Sequence, residues 1–471
     1  MNIKIPTLKI SKILVTIAVI MIYFQIYWHY WLVKLLGGYV VNTLLPIMLL
    51  FSVFIIKEFV SHDTGGIKKR KIYYLLILLF YYFLFASVSI FLNEQGLNNI
   101  RSYLIYIYSP VLLFVSILGL NVYRKNENIK FTLNILFILS VILSIYVTIT
   151  YSVDPLSVSE MPVIETNRGG GVRADTGATF GIGELTVIRY TIPGISSTTY
   201  GALLVPLIFV GLYFRKKSMG KVRFLYFCAI LFLIFCVLMT VSRGPFISLI
   251  AGMIYLTWWK WFKVKDVMFM TFIFIISFST FAGLLFLRLV ITFAAFVPID
   301  VSFLGVNVQG FLEDPRLMSV KETLSYIYQN PFLGMGMSHL IDLQNLSYGK
   351  EHNNYLSIAA SFGILTLIFY ILFVILLFIM LHKRIKKISQ NPLTKNMGIV
   401  LGAGLSALIV FLNFAPAEFH FIWIWFGLAA AWLRNCEDEL LLRKPAINKL
   451  CNERAGREKL DRDLSDKAAL K

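Results

Sequence analysis

The residues able to do chemistry in this sequence gather in four short stretches. Thr240-Val241-Ser242-Arg243-Gly244-Pro245 places an arginine where one apolar segment ends and the next begins. Glu351-His352-Asn353-Asn354-Tyr355-Leu356 places a histidine just ahead of a long apolar run. Glu313-Asp314-Pro315-Arg316 opens a stretch with apolar residues at helical spacing, and Ile188-Arg189-Tyr190-Thr191-Ile192-Pro193-Gly194 precedes another apolar run. Arginine carries a permanent charge on a planar fork that grips phosphate or carboxylate oxygens in pairs. A histidine at the positive end of a helix resists protonation, and a neutral imidazole is what a general base requires. The same helix end attracts phosphate. Asn353 or Asn354 is suited to cap that helix, and Ser242 or Gly244 the one after Arg243, with Pro245 in its first turn. Each stretch also has a plainer reading: a snorkelling Arg243, a helix-flanking His352, and exposed, salt-bridged arginines at 316 and 189.

Other chemistries lack their motifs. There is no His-Glu-x-x-His or similar metal cluster, so no metal and no cofactor is expected. Gly169-Gly170-Gly171 and Gly181-Ile182-Gly183 lack the Gly-Lys-Ser/Thr ending of a phosphate loop, which argues against ATP-driven transport. The four cysteines comprise Cys228 and Cys236 inside an apolar segment and Cys436 and Cys451 near the C-terminus, so neither a disulfide framework nor a zinc site is expected.

The elements that must position these residues are membrane helices. Hydrophobic residues make up 58% of the chain and charged residues only 15%, and apolar runs long enough to cross hydrocarbon recur throughout. Hydropathy predicts an all-α polytopic membrane protein of about twelve transmembrane helices. These lie near 13–33, 38–58, 72–92, 102–120, 131–153, 197–214, 222–241, 245–262, 267–297, 354–381, 397–415 and 417–433. The first is too long for a signal-peptide core and has no cleavage site after it. The net charge of +19 reports topology rather than nucleic-acid binding, with a minor share left to attract anionic lipid. Basic clusters at Lys68–Lys71 (Lys68, Lys69, Arg70, Lys71), Arg215–Lys217 and Lys383–Lys387 alternate with loops poor in basic residues. By the positive-inside rule both termini are cytoplasmic, and all four chemical stretches face outward.

Two outer segments are long, about 152–196 and 298–353, and such loops are commonly functional. In the second, Leu317, Val320, Leu324, Ile327 and Tyr328 predict an amphipathic helix lying on the outer membrane surface, ended by Pro331. The expected organisation is five N-terminal helices with the first outer loop (1–196), a membrane domain (197–433) with a large periplasmic loop at about 298–353, and a charged cytoplasmic tail (434–471).

Together these stretches resemble the bacterial O-antigen ligase and polymerase family of membrane glycosyltransferases. The matching pieces are Ser242-Arg243-Gly244 after a helix, Arg316 opening an amphipathic segment, Asn330-Pro331-Phe332-Leu333-Gly334-Met335-Gly336, and His352-Asn353-Asn354-Tyr355-Leu356 leading into a helix with Gly363. They occur in the family's order between about Arg189 and Phe426. Two positions depart from the pattern: Val320 stands where a tryptophan is frequent, and Ile195-Ser196-Ser197-Thr198-Thr199 where an asparagine is common.

The resemblance implies a metal-independent glycosyltransferase whose donor is a glycan on undecaprenyl diphosphate. Its acceptor would be a second glycan or lipid A-core, its further partners membrane lipids and proteins of polysaccharide assembly, and its location the bacterial inner membrane. Arg243 and Arg316 would then hold the diphosphate and His352 would take the acceptor proton. Arg189, Asn353, Asn354 and Tyr355 would contact substrate. Repeat-unit polymerase is the leading reading and ligase the second. A lipid-linked oligosaccharide flippase is a third, disfavoured because the helix interiors are nearly free of charge. A structural scaffold is a fourth, and it leaves the arginine–histidine set unexplained.

Overall fold

A computed structural model describes residues 7–24, 72–93, 107–153, 179–182, 185–188, 197–240, 242–261, 315–336, 353–388, 392–414 and 421–437. Helices α1 (Thr7–Tyr23), α2 (Ile72–Asn93), α3 (Ser109–Gly119) and α4 (Asn126–Val153) come first. A short antiparallel hairpin follows, β1 (Thr179–Ile182) and β2 (Leu185–Ile188), with Thr179 opposite Ile188. Then come α5 (Ser197–Lys217), α6 (Gly220–Met239), α7 (Arg243–Trp258), α8 (Pro315–Gln329), α9 (Asn354–Lys387), α10 (Pro392–Phe411) and α11 (421–437). The hairpin lies in the first long loop, where the sequence reading placed no regular structure; every other described element is helical.

Among the described residues six helices are long and apolar enough to cross a membrane: α2, α4, α5, α6, α9 and α10. The chain is a polytopic membrane protein. The expected helices near 38–58 and 267–297, and hence the count of twelve, lie outside the described residues.

Burial follows from side-chain pattern. In α2 the buried residues Leu75, Leu79, Tyr82, Ala86 and Ser89 recur every three or four positions, while Tyr74, Phe80 and Phe91 stand exposed on the opposite face. An apolar outer face suits a helix against lipid. By contrast α5 is buried on all sides from Tyr200 to Phe214, the expected place for a helix apolar all round. Helices α7 and α10 run antiparallel at close range, because Gly252 lies against Phe209 and the Ala403 carbonyl, and Gly402 against Tyr255.

Basic residues gather at one end of the bundle. Arg215, Lys216 and Lys217 close α5, and Arg384, Lys386 and Lys387 close α9. Lys216 Nζ lies 4.1 Å from the Trp261 ring centre, and the His382 and Trp259 rings are 4.9 Å apart. Helix α11 extends past the expected boundary at 433. Arg434 donates to the Leu118 carbonyl, and Asn435 Nδ2 donates to the Tyr123 carbonyl at 2.9 Å and to Asn126 Oδ1 at 3.0 Å. This buried polar cluster ties the end of α11 to the α3–α4 turn, so residues 434–437 belong to the bundle rather than to a tail.

Candidate active site

The main departure from the hydropathy pattern lies in α9. The run 354–381 reads as one continuous span, but Gly363 has φ 86° and ψ 165°, outside any helix. The segment is therefore two arms, 354–362 and 364–387. In an unbroken helix residues sixteen apart would be about 24 Å apart. Instead Asn354 Nδ2 lies 3.5 Å from the Tyr370 hydroxyl, and the Tyr355 and Tyr370 rings are 6.2 Å apart. The first arm is thus folded back along the second.

A break in an apolar helix leaves backbone groups without partners, which is costly away from water. The segment after α8 supplies them. Ile364 N donates to the Pro331 carbonyl at 2.8 Å, Met335 N to Ala360 O at 2.8 Å and Gly336 N to Ser361 O at 2.9 Å. The Asn330–Gly336 motif is therefore a clasp on the broken helix. Gly334 sits so close that a Cβ would lie 2.5 Å from the Ser361 carbonyl carbon.

The first arm of α9 begins at its Asn353 cap. The Asn353 side-chain oxygen accepts from Tyr355 N at 2.9 Å and Leu356 N at 3.1 Å. Of the two asparagines proposed as cap, the first serves. Asn353→Ala is expected to cost about 1 kcal/mol, read as a lowered melting temperature of the detergent-solubilised protein; an unchanged melt would mean the cap contributes nothing. Asn354 is wholly buried, and its backbone N–H donates to the Leu412 carbonyl at 2.9 Å. The Tyr355 hydroxyl donates to the Ile409 carbonyl at 3.1 Å. Both residues thereby anchor the arm to the end of α10.

The N-terminus of α7 meets the same turn. Ser242 occupies its N-cap position, but the hydroxyl pairs with Thr198 Oγ1 at 2.8 Å rather than with the backbone of α7. Arg243 is the first helical residue and is exposed, whereas Gly244, Pro245 and Phe246 behind it are buried. A Cβ on Gly244 would lie 2.8 Å from Phe414 Cβ. Two helix N-termini, those of α7 and of the first arm of α9, therefore converge on residues 412–414. Their positive dipole ends lie on the same side of the bundle as Arg243, while the first N–H groups of the α9 arm are taken by Leu412 and the Asn353 side chain.

The other proposed residues divide. Arg316 lies in the first turn of α8, close to its expected place, and its side chain is outside the described residues. In helix α8 the polar Thr323 is buried, while Leu324 and Tyr328 of the expected apolar stripe are exposed. The Tyr326 hydroxyl donates to Glu322 Oε1 at 3.1 Å, and burial, reinforced by that carboxylate, raises its pKa. His352 and Arg189 lie outside the described residues; His352 directly precedes the cap residue in sequence. Sequence reasoning missed Thr198, whose segment shows only a departure from the family pattern, and the 412–414 turn, for which no motif gives a signal. Among the described residues no group of three or more His, Cys, Asp or Glu side chains is placed to hold a metal ion.

The fold is that of a polytopic membrane protein in which two helix N-termini meet at one turn. The family model for O-antigen ligases matches residues 227–371, which include α7, α8, the clasp, the first arm of α9 and the start of its second. Over those residues the chain is similar to O-antigen ligases, and the match supports a role in membrane glycan processing. A search of curated proteins found no match.

Proposed function

We propose that this protein is a glycosyltransferase that polymerises undecaprenyl-diphosphate-linked repeat units into a surface polysaccharide at the outer face of the bacterial inner membrane. The observation that carries the reading is the convergence of two helix N-termini and exposed Arg243 on one turn, with His352 next to the cap of one of those helices. In the proposed step the acceptor hydroxyl oxygen attacks the anomeric carbon of the donor sugar. His352 takes the hydroxyl proton, and the bond to the diphosphate oxygen breaks. Undecaprenyl diphosphate leaves with the bonding electrons, and its growing charge is met by Arg243, Arg316 and the helix ends. Arg189 assists donor binding. These fixed donors fill the role that a metal plays in many soluble glycosyltransferases, so the transfer proceeds without one. The basic end of the bundle faces the cytoplasm in this reading.

The ligase reading has a specific support: the matched family model is described as O-antigen ligase. Deletion separates the two. In a strain with a known lipopolysaccharide core, loss of a polymerase is expected to leave core plus a single repeat on a gel. Bare core, with long glycan retained on the undecaprenyl carrier, would identify a ligase and overturn the polymerase assignment.

A further inference from the structure

The clasp and the break in α9 are joined at a third point, on a helix outside the matched domain. Ser89 of α2 is wholly buried, and its hydroxyl lies within hydrogen-bonding reach of both the Leu333 carbonyl of the clasp and, at 3.1 Å, the Ser361 carbonyl of the first arm. One turn later Asn93 Nδ2 donates to the Gly334 carbonyl at 3.0 Å. Asn93 Nδ2 also lies 3.5 Å from Ser89 Oγ. The Ser361 carbonyl already accepts from Gly336 N, so the serine sits where clasp and arm are sutured. The buried hydroxyl is spent on the carbonyls of these two segments.

We propose that Ser89 and Asn93 are positioning residues for the reaction, holding the first arm of α9, and with it the Asn353 cap that follows His352 in sequence, in place beside the head of α7. The inference rests on the proposed function, because it assigns the held arm a part in glycan transfer. The physical argument is that the arm is only nine residues long, 354–362, and is held at its cap end by Leu412 and Ile409 of the α10 end. Its other end hangs on the glycine break and on the clasp. The clasp's backbone bonds to Ala360 and Ser361 fasten that end only to a short loop, and the α2 side chains tie both loop and arm to a long helix. Displacements of about 1 Å in a reacting group can cost a hundredfold in rate.

The test uses the full-length protein in detergent, with lipid-linked glycan extracted from a strain lacking the gene as substrate. Ser89→Ala and Ser89→Ala/Asn93→Ala are expected to lower kcat about tenfold or more, with KM for the lipid-linked glycan changed less than about twofold because Arg243 is untouched. Ser89→Thr, which keeps the hydroxyl, is expected to recover most of kcat. Wild-type kcat in the double variant, beside an inactive His352→Ala, overturns the positioning role and leaves the proposed function standing. A loss shared between kcat and KM that threonine does not rescue also overturns it, since that is the signature of general packing damage. An active His352→Ala removes the base and with it the purpose of holding the arm, so both readings fall.

Discussion

Gly363→Ala is expected to abolish glycan product and lower the melting temperature of the purified protein, although only one methyl group is added. Two effects combine. At φ 86° and ψ 165° the backbone is in a region that essentially glycine alone occupies, at a cost of about 1–3 kcal/mol for another residue. The added Cβ would also lie 1.9 Å from the Phe332 carbonyl oxygen and 2.4 Å from the Phe332 carbonyl carbon, both rigid backbone atoms. Relief requires the clasp to withdraw, and withdrawal breaks the bonds from Ile364 N to Pro331 O and from Met335 N to Ala360 O. Regular helix through position 363 is the alternative, and it would carry the Asn353 cap away from the α10 end. Gly119→Ala is the matched control, since a Cβ there meets nothing within 4 Å. Full activity of Gly363→Ala at wild-type melting temperature would mean that the folded-back arm is dispensable.

Arg243→Ala and His352→Ala are each expected to reduce glycan transfer by about a hundredfold or more at unchanged protein levels, the effect of removing one preorganised transition-state group. Arg243 is exposed at the head of α7, so its removal leaves no cavity in the bundle. Arg243→Lys is expected to fail as well, because an ammonium keeps the charge but not the two-pronged geometry that a diphosphate requires. Transfer by each variant, assayed with lipid-linked glycan extracted from the deletion strain, separates the roles. Retained activity in Arg243→Lys would make Arg243 a simple point charge. Retained activity in His352→Ala would remove general-base catalysis by that residue.

Much of the scaffold was legible in the sequence because hydropathy and capping are local. The helix expected at 72–92 is Ile72–Asn93, that expected at 197–214 is Ser197–Lys217, and the amphipathic segment opened by Pro315-Arg316 is Pro315–Gln329. A lipid-crossing helix needs only a sufficient run of apolar side chains, and an amphipathic helix only their 3.6-residue period. Arg243 and Asn353 were singled out by the same local reading, from a charge at an apolar boundary and a cap residue, whereas Gly334 and Gly363 entered through the family resemblance, Gly363 inside an expected helix.

What the tertiary structure alone decided is how those marked residues meet. The residues around Gly363, Ser361-Phe362-Gly363-Ile364, keep the segment continuous in hydropathy, so the sequence read as a single span. The fold-back depends on Pro331, Met335 and Gly336, which satisfy the freed backbone groups from a segment remote in the chain. Arg243 and the Asn353 cap approach one another only because Gly244 packs on Phe414 while Asn354 N binds Leu412 O. Ser89 and Asn93 carry no motif, and they reach the clasp across more than two hundred residues of chain. Local pattern selects which segments become helices, because each residue's exposure to lipid is set within a turn or two of itself. Where a helix breaks, and which helix ends meet, is settled by backbone hydrogen bonds to distant partners, and hydropathy carries no record of those partners.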